Sequence, residues 1–115
     1  MPRDERVFLE DIVDACRKVQ RYTSDLSLER FRDDEKTIDA VVRNLEVIGE
    51  AAKQISAETR GQMAGLDWQR IAGLRDILIH NYFGIDIDII WDVLANKVPL
   101  LIEAIQGFLE STLTD

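Results

Sequence analysis

The sequence predicts an all-α domain, an antiparallel bundle of four to five helices. Apolar residues recur at helical spacing in several segments of the sequence. The pairs Asn-Gly and Asp-Gly, which are typical of β-hairpin turns, are absent from the sequence. At 115 residues the chain is long enough for one real core, so residues 1–115 are expected to form a single domain.

The first helix is expected from about Pro2 to Tyr22, because its apolar residues fall on one stripe at helical spacing. That stripe comprises Phe8, Ile12, Ala15, Cys16, Val19 and Tyr22. Cys16 lies on the stripe, so core packing is its expected role. Residues 23–33 are polar and turn-like, with a short helix expected at residues 28–32.

A long second helix is expected to begin at a cap formed by Asp33 or Asp34 and to run to about Ile55. Its apolar face comprises Ile38, Val41, Val42, Leu45, Ile48, Ala52 and Ile55. Gly49 falls within this face at a cost of about 1 kcal/mol in helix propensity. A glycine there predicts the close approach of another backbone.

The middle of the chain is less regular. Residues 56–66 contain two glycines and predict a loop with a helical turn. Asp67 is a suitable cap for a helix that begins at Trp68, and Gly84 is expected to end that region.

Asp86 or Asp88 is expected to cap the next helix. Pro99 disfavours helical geometry at Val98, which predicts a break or kink there. A proline also suits the first turn of a helix, and a last helix is expected to end near Ser111.

The net charge of −8 is uneven along the chain. Residues 1–34 carry 7 basic and 9 acidic groups, and residues 67–115 carry 3 basic and 8 acidic groups. A general nucleic-acid binder should show a basic stripe, which this sequence lacks. Any RNA contact must therefore come from a small local patch or from two chains brought together, and the acidity suits a basic protein partner.

Composition also limits the location and the chemistry. No apolar run approaches the roughly 18 residues of a membrane helix, and no apolar signal core follows the charged N-terminus. A single cysteine fits a reducing cytoplasm. One histidine and one cysteine argue against a structural zinc site, and Glu46 and Glu50 have no accompanying Glu-x-x-His for a di-metal site. We therefore expect no membrane association, metal or cofactor.

The residues best suited to chemistry lie within residues 75–82, which hold the only histidine. His80 titrates near physiological pH and is the default residue for proton transfer. Arg75 carries a permanent positive charge on a planar fork that suits phosphate. Tyr82 follows two residues after the histidine.

Helical geometry suggests how these side chains are arranged. On a helix from Trp68, Arg75 lies near the centre of an apolar face, which is costly unless the arginine is paired. His80 lies about 140° from Arg75 on an unbroken helix, so a shared site is more plausible between two chains. Asp76 precedes His80 by four residues and is a candidate to orient it. A histidine at a helix C-terminus is also compatible with a purely local contact to terminal carbonyls.

Several segments together resemble the HEPN superfamily, specifically its HepT-like branch. Arg75, His80 and Tyr82 match the branch motif R-x-x-x-x-H-x-Y, and residues 67–76 and 80–86 are similar to its signature region. Residues 43–52 resemble a second block, and Trp91 with residues 97–100 fits the last helix of the family.

The resemblance implies a dimeric helical bundle in which the motifs of both subunits line one cleft. It implies a metal-independent endoribonuclease that acts on RNA, such as tRNA, as the toxin of a type VII-like toxin–antitoxin pair. Its antitoxin would be a minimal nucleotidyltransferase that transfers AMP to the motif tyrosine. Carried over, Arg75 and His80 are catalytic, Asp76 orients, and Tyr82 is modified. Cleft-lining positions would be Arg43, Asn44, Glu50 and Asn81.

Two other functions remain open from the sequence. The chain is compatible with a non-catalytic HEPN partner, or a substrate-binding subunit, of a nucleotidyltransferase. It is also compatible with a helical dimeric scaffold that has no site. The acidic charge favours the first alternative, whereas the intact Arg75–His80 pair favours the ribonuclease.

Overall fold

The computed structural model describes residues 3–74, 76, 78 and 86–113, and in these residues every regular element is helical. The elements are α1 (Arg3–Thr23), α2 (Leu28–Arg32), α3 (Glu35–Lys53), α4 (Ala57–Gly61), α5 (Trp68–Ala72), α6 (Ile87–Asp92), a π-helical turn (Val93–Lys97) and α7 (Val98–Leu113). The predicted all-α class is confirmed.

The long helices pack as an antiparallel bundle. The guanidinium of Arg6, near the start of α1, donates to the hydroxyl of Thr112 at the end of α7, at 3.3 Å. Glu5, at the same end of α1, accepts hydrogen bonds from Ser56 and Thr59, which follow the C-terminus of α3. Both α3 and α7 therefore run opposite to α1.

The core lies between α1, α3 and α7, and α5 packs on α3. Its fully buried side chains include Leu9, Ile12, Cys16, Val19, Val41, Leu45, Ile48 and Ile105. Burying an aliphatic side chain of this size contributes about 1.5–3 kcal/mol. The predicted stripes of α1 and α3 are confirmed in this core, but Tyr22 is 37% exposed and lies outside it.

Side-chain caps define where the helices begin. Ser27, Asp34, Ser56, Asp67 and Asp86 each accept a hydrogen bond from a backbone N–H in the first turn of the following helix. Such a bond satisfies a donor that has no partner within the helix. The boundaries predicted at Asp34, Asp67 and Asp86 are therefore confirmed.

The kink predicted at Val98 is wrong in its position. Val98 has helical dihedral angles, φ −59° and ψ −45°, and the irregularity is the π-helical turn over residues 93–97. Pro99 lacks an N–H and its ring crowds the carbonyl four residues earlier. Widening the preceding turn accommodates the ring without ending the helix.

The carboxylate of Glu5 joins the N-terminal end of α1 to the start of α4. It is 6% exposed, and it accepts from the backbone N–H of Ser56 and, at 2.7 Å, from the hydroxyl of Thr59. Burial alone would raise the pKa of Glu5, but the hydrogen bonds from Ser56 and Thr59 outweigh it and lower the pKa overall.

Replacing Glu5 by alanine should lower the free energy of unfolding by about 1–3 kcal/mol at pH 7, because the Ser56 N–H and the Thr59 hydroxyl lose their acceptor. A lowered folded pKa stabilises the protein above the unfolded value of about 4.3, and this contribution is lost as pH falls through the folded pKa. Urea unfolding at pH 7 and at about pH 3 should therefore show the difference between wild type and variant shrinking in acid.

The matched control is Glu10→Ala on the same helix. Glu10 forms an exposed ion pair with Arg6, at 3.1 Å, so its loss should change stability by less than about 1 kcal/mol. Equal effects of the two substitutions would contradict the structural role assigned to Glu5.

Candidate functional site

The segment that carries the predicted motif is attached to the core through Trp68. This indole is 7% exposed, and its Nε1 donates to the carbonyl of Met63 at 3.3 Å. The side chain of Asp67 caps the same helix by accepting from the Arg70 N–H at 3.2 Å. The start of α5 is therefore fixed both to the preceding turn and to the core.

The helix expected from Trp68 through the motif is interrupted. α5 ends at Ala72, Gly73 lies in a turn, and Leu74, Asp76 and Leu78 are again helical. A glycine lowers helix propensity by about 1 kcal/mol, and a Cβ at position 73 would lie 3.3 Å from the Gln69 carbonyl oxygen, so the interruption falls at a residue without a side chain. The angles predicted between Trp68 and residues beyond Gly73, which assume one continuous helix, therefore do not apply.

Beyond the turn, the described side chains divide into a core-facing and a solvent-facing set. Leu78 is 7% exposed, and Leu74 packs against the core one helical turn earlier, whereas Asp76 is exposed. This division agrees with the amphipathic pattern predicted for the segment.

Arg75, His80, Asn81 and Tyr82 lie outside the described residues, as does Gly84. The arrangement of the first four around a common cleft therefore stays a prediction, as does their relation to Asp76.

A second aromatic side chain fixes the chain just after the motif. The ring centroid of Trp91 in α6 lies 5.2 Å from that of Phe31, which is fully buried in α2. Arg32, the next residue of α2, forms an ion pair with Asp88. The two tryptophans of the protein thus anchor the two flanks of the motif to different parts of the core.

The C-terminal end of α3 faces the motif segment. The ammonium of Lys53 lies 4.0 Å from a carboxylate oxygen of Asp76 and 3.6 Å from one of Glu50. All three side chains are substantially exposed, so these pairs are weak. They nevertheless bring Glu50, one of the predicted cleft-lining residues, next to the residue predicted to orient His80.

A shallow groove of about 500 Å³ runs between α1 and α3. Its lining residues are Phe8, Asp11, Arg43, Glu46, Val47, Glu50, Ala51 and Gln54. Arg43 and Glu50 were both predicted to line a cleft, and the groove brings them together. Three carboxylates and a single guanidinium line this groove, so its net charge is negative and it repels phosphate.

Asn44, the third cleft-lining prediction on α3, has a local role in the structure. It is half-buried, and its amide donates to the carbonyl of Ala40 at 2.9 Å, one turn earlier in α3. It does not line the groove between α1 and α3.

The thiol of Cys16 is fully buried, and burial raises its pKa to about 12. A buried protonated thiol is neither a nucleophile nor a metal ligand, so its predicted packing role is confirmed. In the described part of the chain, no group of three or more His, Cys, Asp or Glu residues is placed to hold a metal ion. None of the described helices is long and apolar enough to span a membrane.

Sequence patterns did not reveal Arg60. Its guanidinium lies 5.7 Å from the ring centroid of Trp68 and donates to the carbonyl of Ala52 at 2.6 Å. These contacts join three separate elements across a loop, so no periodic spacing in the sequence marks them.

Comparison with known proteins gives a consistent result. The model of a family described as ribonuclease HepT-like matches residues 12–108. A candidate RNase of Methanocaldococcus jannaschii is 42% identical over 111 residues, which cover 96% of this chain and 92% of that protein. The probable ribonuclease HepT of Thermococcus cleftensis is 38% identical over 88% of this chain and 92% of its own length. A candidate RNase of Caldanaerobacter subterraneus is 37% identical over 91% of this chain and 94% of its own. No solved structure matches the chain.

Removing the carboxylate charge of Asp76 should barely affect stability. Because its pair with Lys53 is exposed, Asp76→Asn and Lys53→Gln should each change the free energy of unfolding by less than about 1 kcal/mol. Urea unfolding of both single variants and the double variant should give a coupling energy below about 1 kcal/mol. A larger coupling would show a buried, structural ion pair instead.

Proposed function

Because this chain belongs to the HepT-like ribonuclease family, we propose that it is the toxin of a toxin–antitoxin pair and acts as a metal-independent endoribonuclease. Its cleft forms between two copies of the chain, and the pair Arg75 and His80 carries the reaction. The observation that carries this proposal is the Arg-x-x-x-x-His-x-Tyr motif at residues 75–82, within the matched residues 12–108.

The chemistry of RNA cleavage fits these two residue types. The ribose 2′-hydroxyl must lose a proton, the pentacoordinate phosphorus accumulates negative charge, and the leaving 5′-oxygen must gain a proton. His80 serves as the general base or acid in these transfers. Arg75, present once in each copy, holds the scissile phosphate and stabilises its charge. Asp76 orients the imidazole of His80.

The acidity of the surface favours a small, local contact with the RNA substrate over an extended one. The chain carries 22 acidic and 14 basic residues, and the groove between α1 and α3 is acidic. Such a surface does not hold extended RNA by charge alone. Two copies of Arg75 in one cleft double the only positive charge of the motif, which favours a structured RNA such as tRNA that fits by shape.

Tyr82 is the residue whose modification is proposed to inactivate the toxin. The cognate partner of this chain is a minimal nucleotidyltransferase that transfers AMP to the Tyr82 hydroxyl. Attack of the phenolic oxygen on the α-phosphorus of ATP forms a phosphodiester bond and releases pyrophosphate. The added nucleotide brings bulk and a negative phosphate two residues from His80, where it competes with the phosphate of the RNA.

A non-catalytic role remains the second candidate, and the acidity of the chain favours it. In that role the chain is a HEPN partner or a substrate-binding subunit of the nucleotidyltransferase. It would form a stable complex with that enzyme and show no RNA cleavage even at high protein concentration.

Replacement of either Arg75 or His80 by alanine should reduce cleavage of a labelled tRNA pool by at least about 100-fold, because the reaction loses its charge stabiliser or its proton-transfer group. Growth arrest on expression should be relieved in parallel. Circular dichroism and thermal melting should show that both variants keep the helical fold.

The matched control is Arg70→Ala, which removes an arginine from the same region. The side chain of Arg70 is 84% exposed and forms an ion pair with Asp67, at 3.3 Å. Cleavage by this variant should equal that of the wild type, and excess EDTA should leave the wild-type rate unchanged. Wild-type cleavage by His80→Ala would refute the catalytic assignment.

Co-expression with the proposed nucleotidyltransferase partner should add adenylyl groups to Tyr82, because its hydroxyl is the proposed acceptor. Mass spectrometry of the proteolytic peptides should find the added mass on the Tyr82 peptide and none on that of Tyr22. Tyr22 is the only other tyrosine, and at 37% exposure it serves as an internal control.

The Tyr82→Phe variant should stay unmodified and toxic in the presence of the enzyme. An unmodified Tyr82 peptide from a co-expressed pair that no longer cleaves RNA would show that neutralisation works by occlusion instead.

A further inference from the structure

Arg60 joins the end of α3 to the start of α5. Its Nη2 donates at 2.6 Å to the carbonyl of Ala52, in the last turn of α3, where a cation is favoured by the helix dipole. Its guanidinium centre also lies 5.7 Å from the ring centroid of Trp68, the first residue of α5. A cation over an indole face at this distance attracts the ring.

The same side chain also carries one unpaired donor. Among the described residues, the Nε of Arg60 is the one buried side-chain nitrogen or oxygen without a hydrogen-bond partner. An unpaired buried donor opposes folding. The contacts that favour arginine here are therefore those of its other atoms, with the Ala52 carbonyl and with the ring of Trp68, and these contacts join α3 to α5.

The relative position of α3 and α5 matters for the segment that carries the predicted site. Trp68 begins the short helix α5, the turn at Gly73 follows this helix, and the segment continues with residues 74–78. The other described polar link from the end of α3 to this segment is the exposed pair of Lys53 and Asp76, at 4.0 Å. Arg60 is the better-defined link, because it is half-buried and makes both a short hydrogen bond and a ring contact.

We propose that Arg60 is a positioning residue of the ribonuclease site. It holds Trp68 against the C-terminal end of α3 and thereby sets where Arg75 and His80 stand relative to α3. This inference rests on the proposed function, since it assigns Arg60 a role in that same reaction. A displacement of about 1 Å in a catalytic constellation is enough to reduce a rate about 100-fold.

The experiment compares Arg60→Met with Arg60→Lys, using Arg70→Met as the control. Methionine keeps the packing over Trp68 but removes the cation and the donor. Lysine restores a cation and a donor without the planar fork. Arg70 lies on the same helix as Trp68, but its side chain is 84% exposed. Each full-length variant is assayed for kcat and KM on a labelled tRNA pool.

The Arg60→Met variant should lose about 10- to 100-fold in kcat with KM within about 2-fold of the wild type, because positioning and not binding is impaired. Its melting temperature should stay within about 5 °C of the wild type. Arg60→Lys should recover most of kcat, and Arg70→Met should match the wild type. A wild-type kcat in Arg60→Met would overturn the proposal.

Hydrogen exchange of the peptide that covers residues 73–86 gives a readout that needs no activity. Exchange there should be faster in Arg60→Met than in the wild type and unchanged in peptides from α1. Unchanged exchange in an enzyme that cleaves RNA would refute the role of Arg60 and leave the ribonuclease standing. Faster exchange in a chain that cleaves no RNA would refute the ribonuclease, and with it the role of Arg60 in that reaction, while still showing that Arg60 holds residues 73–86 in place.

If Arg60→Met fails to fold, Arg60→Gln decides by the same criteria. Glutamine retains a donor for the Ala52 carbonyl but has no cation for the indole. A normal kcat together with normal exchange at residues 73–86 in this variant would overturn the proposal.

Discussion

The packing of α3 against α1 on one side and α5 on the other is the contact on which the rest of the structure depends. Val41, Leu45, Ile48 and Ala52 of α3 are all buried in the core. The same helix presents Arg43, Glu50 and Lys53 to solvent. One helix therefore supplies both the centre of the core and the surface beside the candidate site, so the position of the site depends on how tightly this helix is held.

The motif segment is bounded by two aromatic anchors that differ in character. Trp68 is held by a carbonyl and by a half-buried arginine, whereas Trp91 packs on the buried ring of Phe31. Both anchors bury a large ring and fix one end of residues 73–86. Contacts outside the motif, such as that of Arg60 with Trp68, therefore hold the described flanks of this segment in place.

The buried carboxylate of Glu5 and the carboxylates at the surface are in different electrostatic environments. The carboxylate of Glu5 is buried but has two donors, which lower its pKa. The carboxylates of Asp11, Glu46 and Glu50 share one groove with Arg43. A ribonuclease with such a surface gains little affinity from the polyanionic backbone of RNA, so recognition by charge alone is weak.

Most of the fold followed from the sequence because its signals are local. Asp34, Asp67 and Asp86 begin helices where predicted, since a capping carboxylate satisfies N–H groups within its own first turn. The structure differs from the predictions at two places, where a local backbone preference was not sufficient to predict the path of the helix. Val98 remains helical before Pro99 because the preceding π-helical turn gives the proline ring room. The helix from Trp68 stops at Gly73, which a continuous apolar pattern did not reveal.

The order of residues along the chain was enough to establish the helical class, the family and the residue types available for chemistry, because spacing and motif depend only on that order. Which distant residues meet became visible only in the folded chain. The fold placed Lys53 beside Asp76, set Arg60 over Trp68, and put Arg43 in an acidic groove. Such contacts join elements through loops whose path is set by packing of the core, so no periodicity in the sequence encodes them.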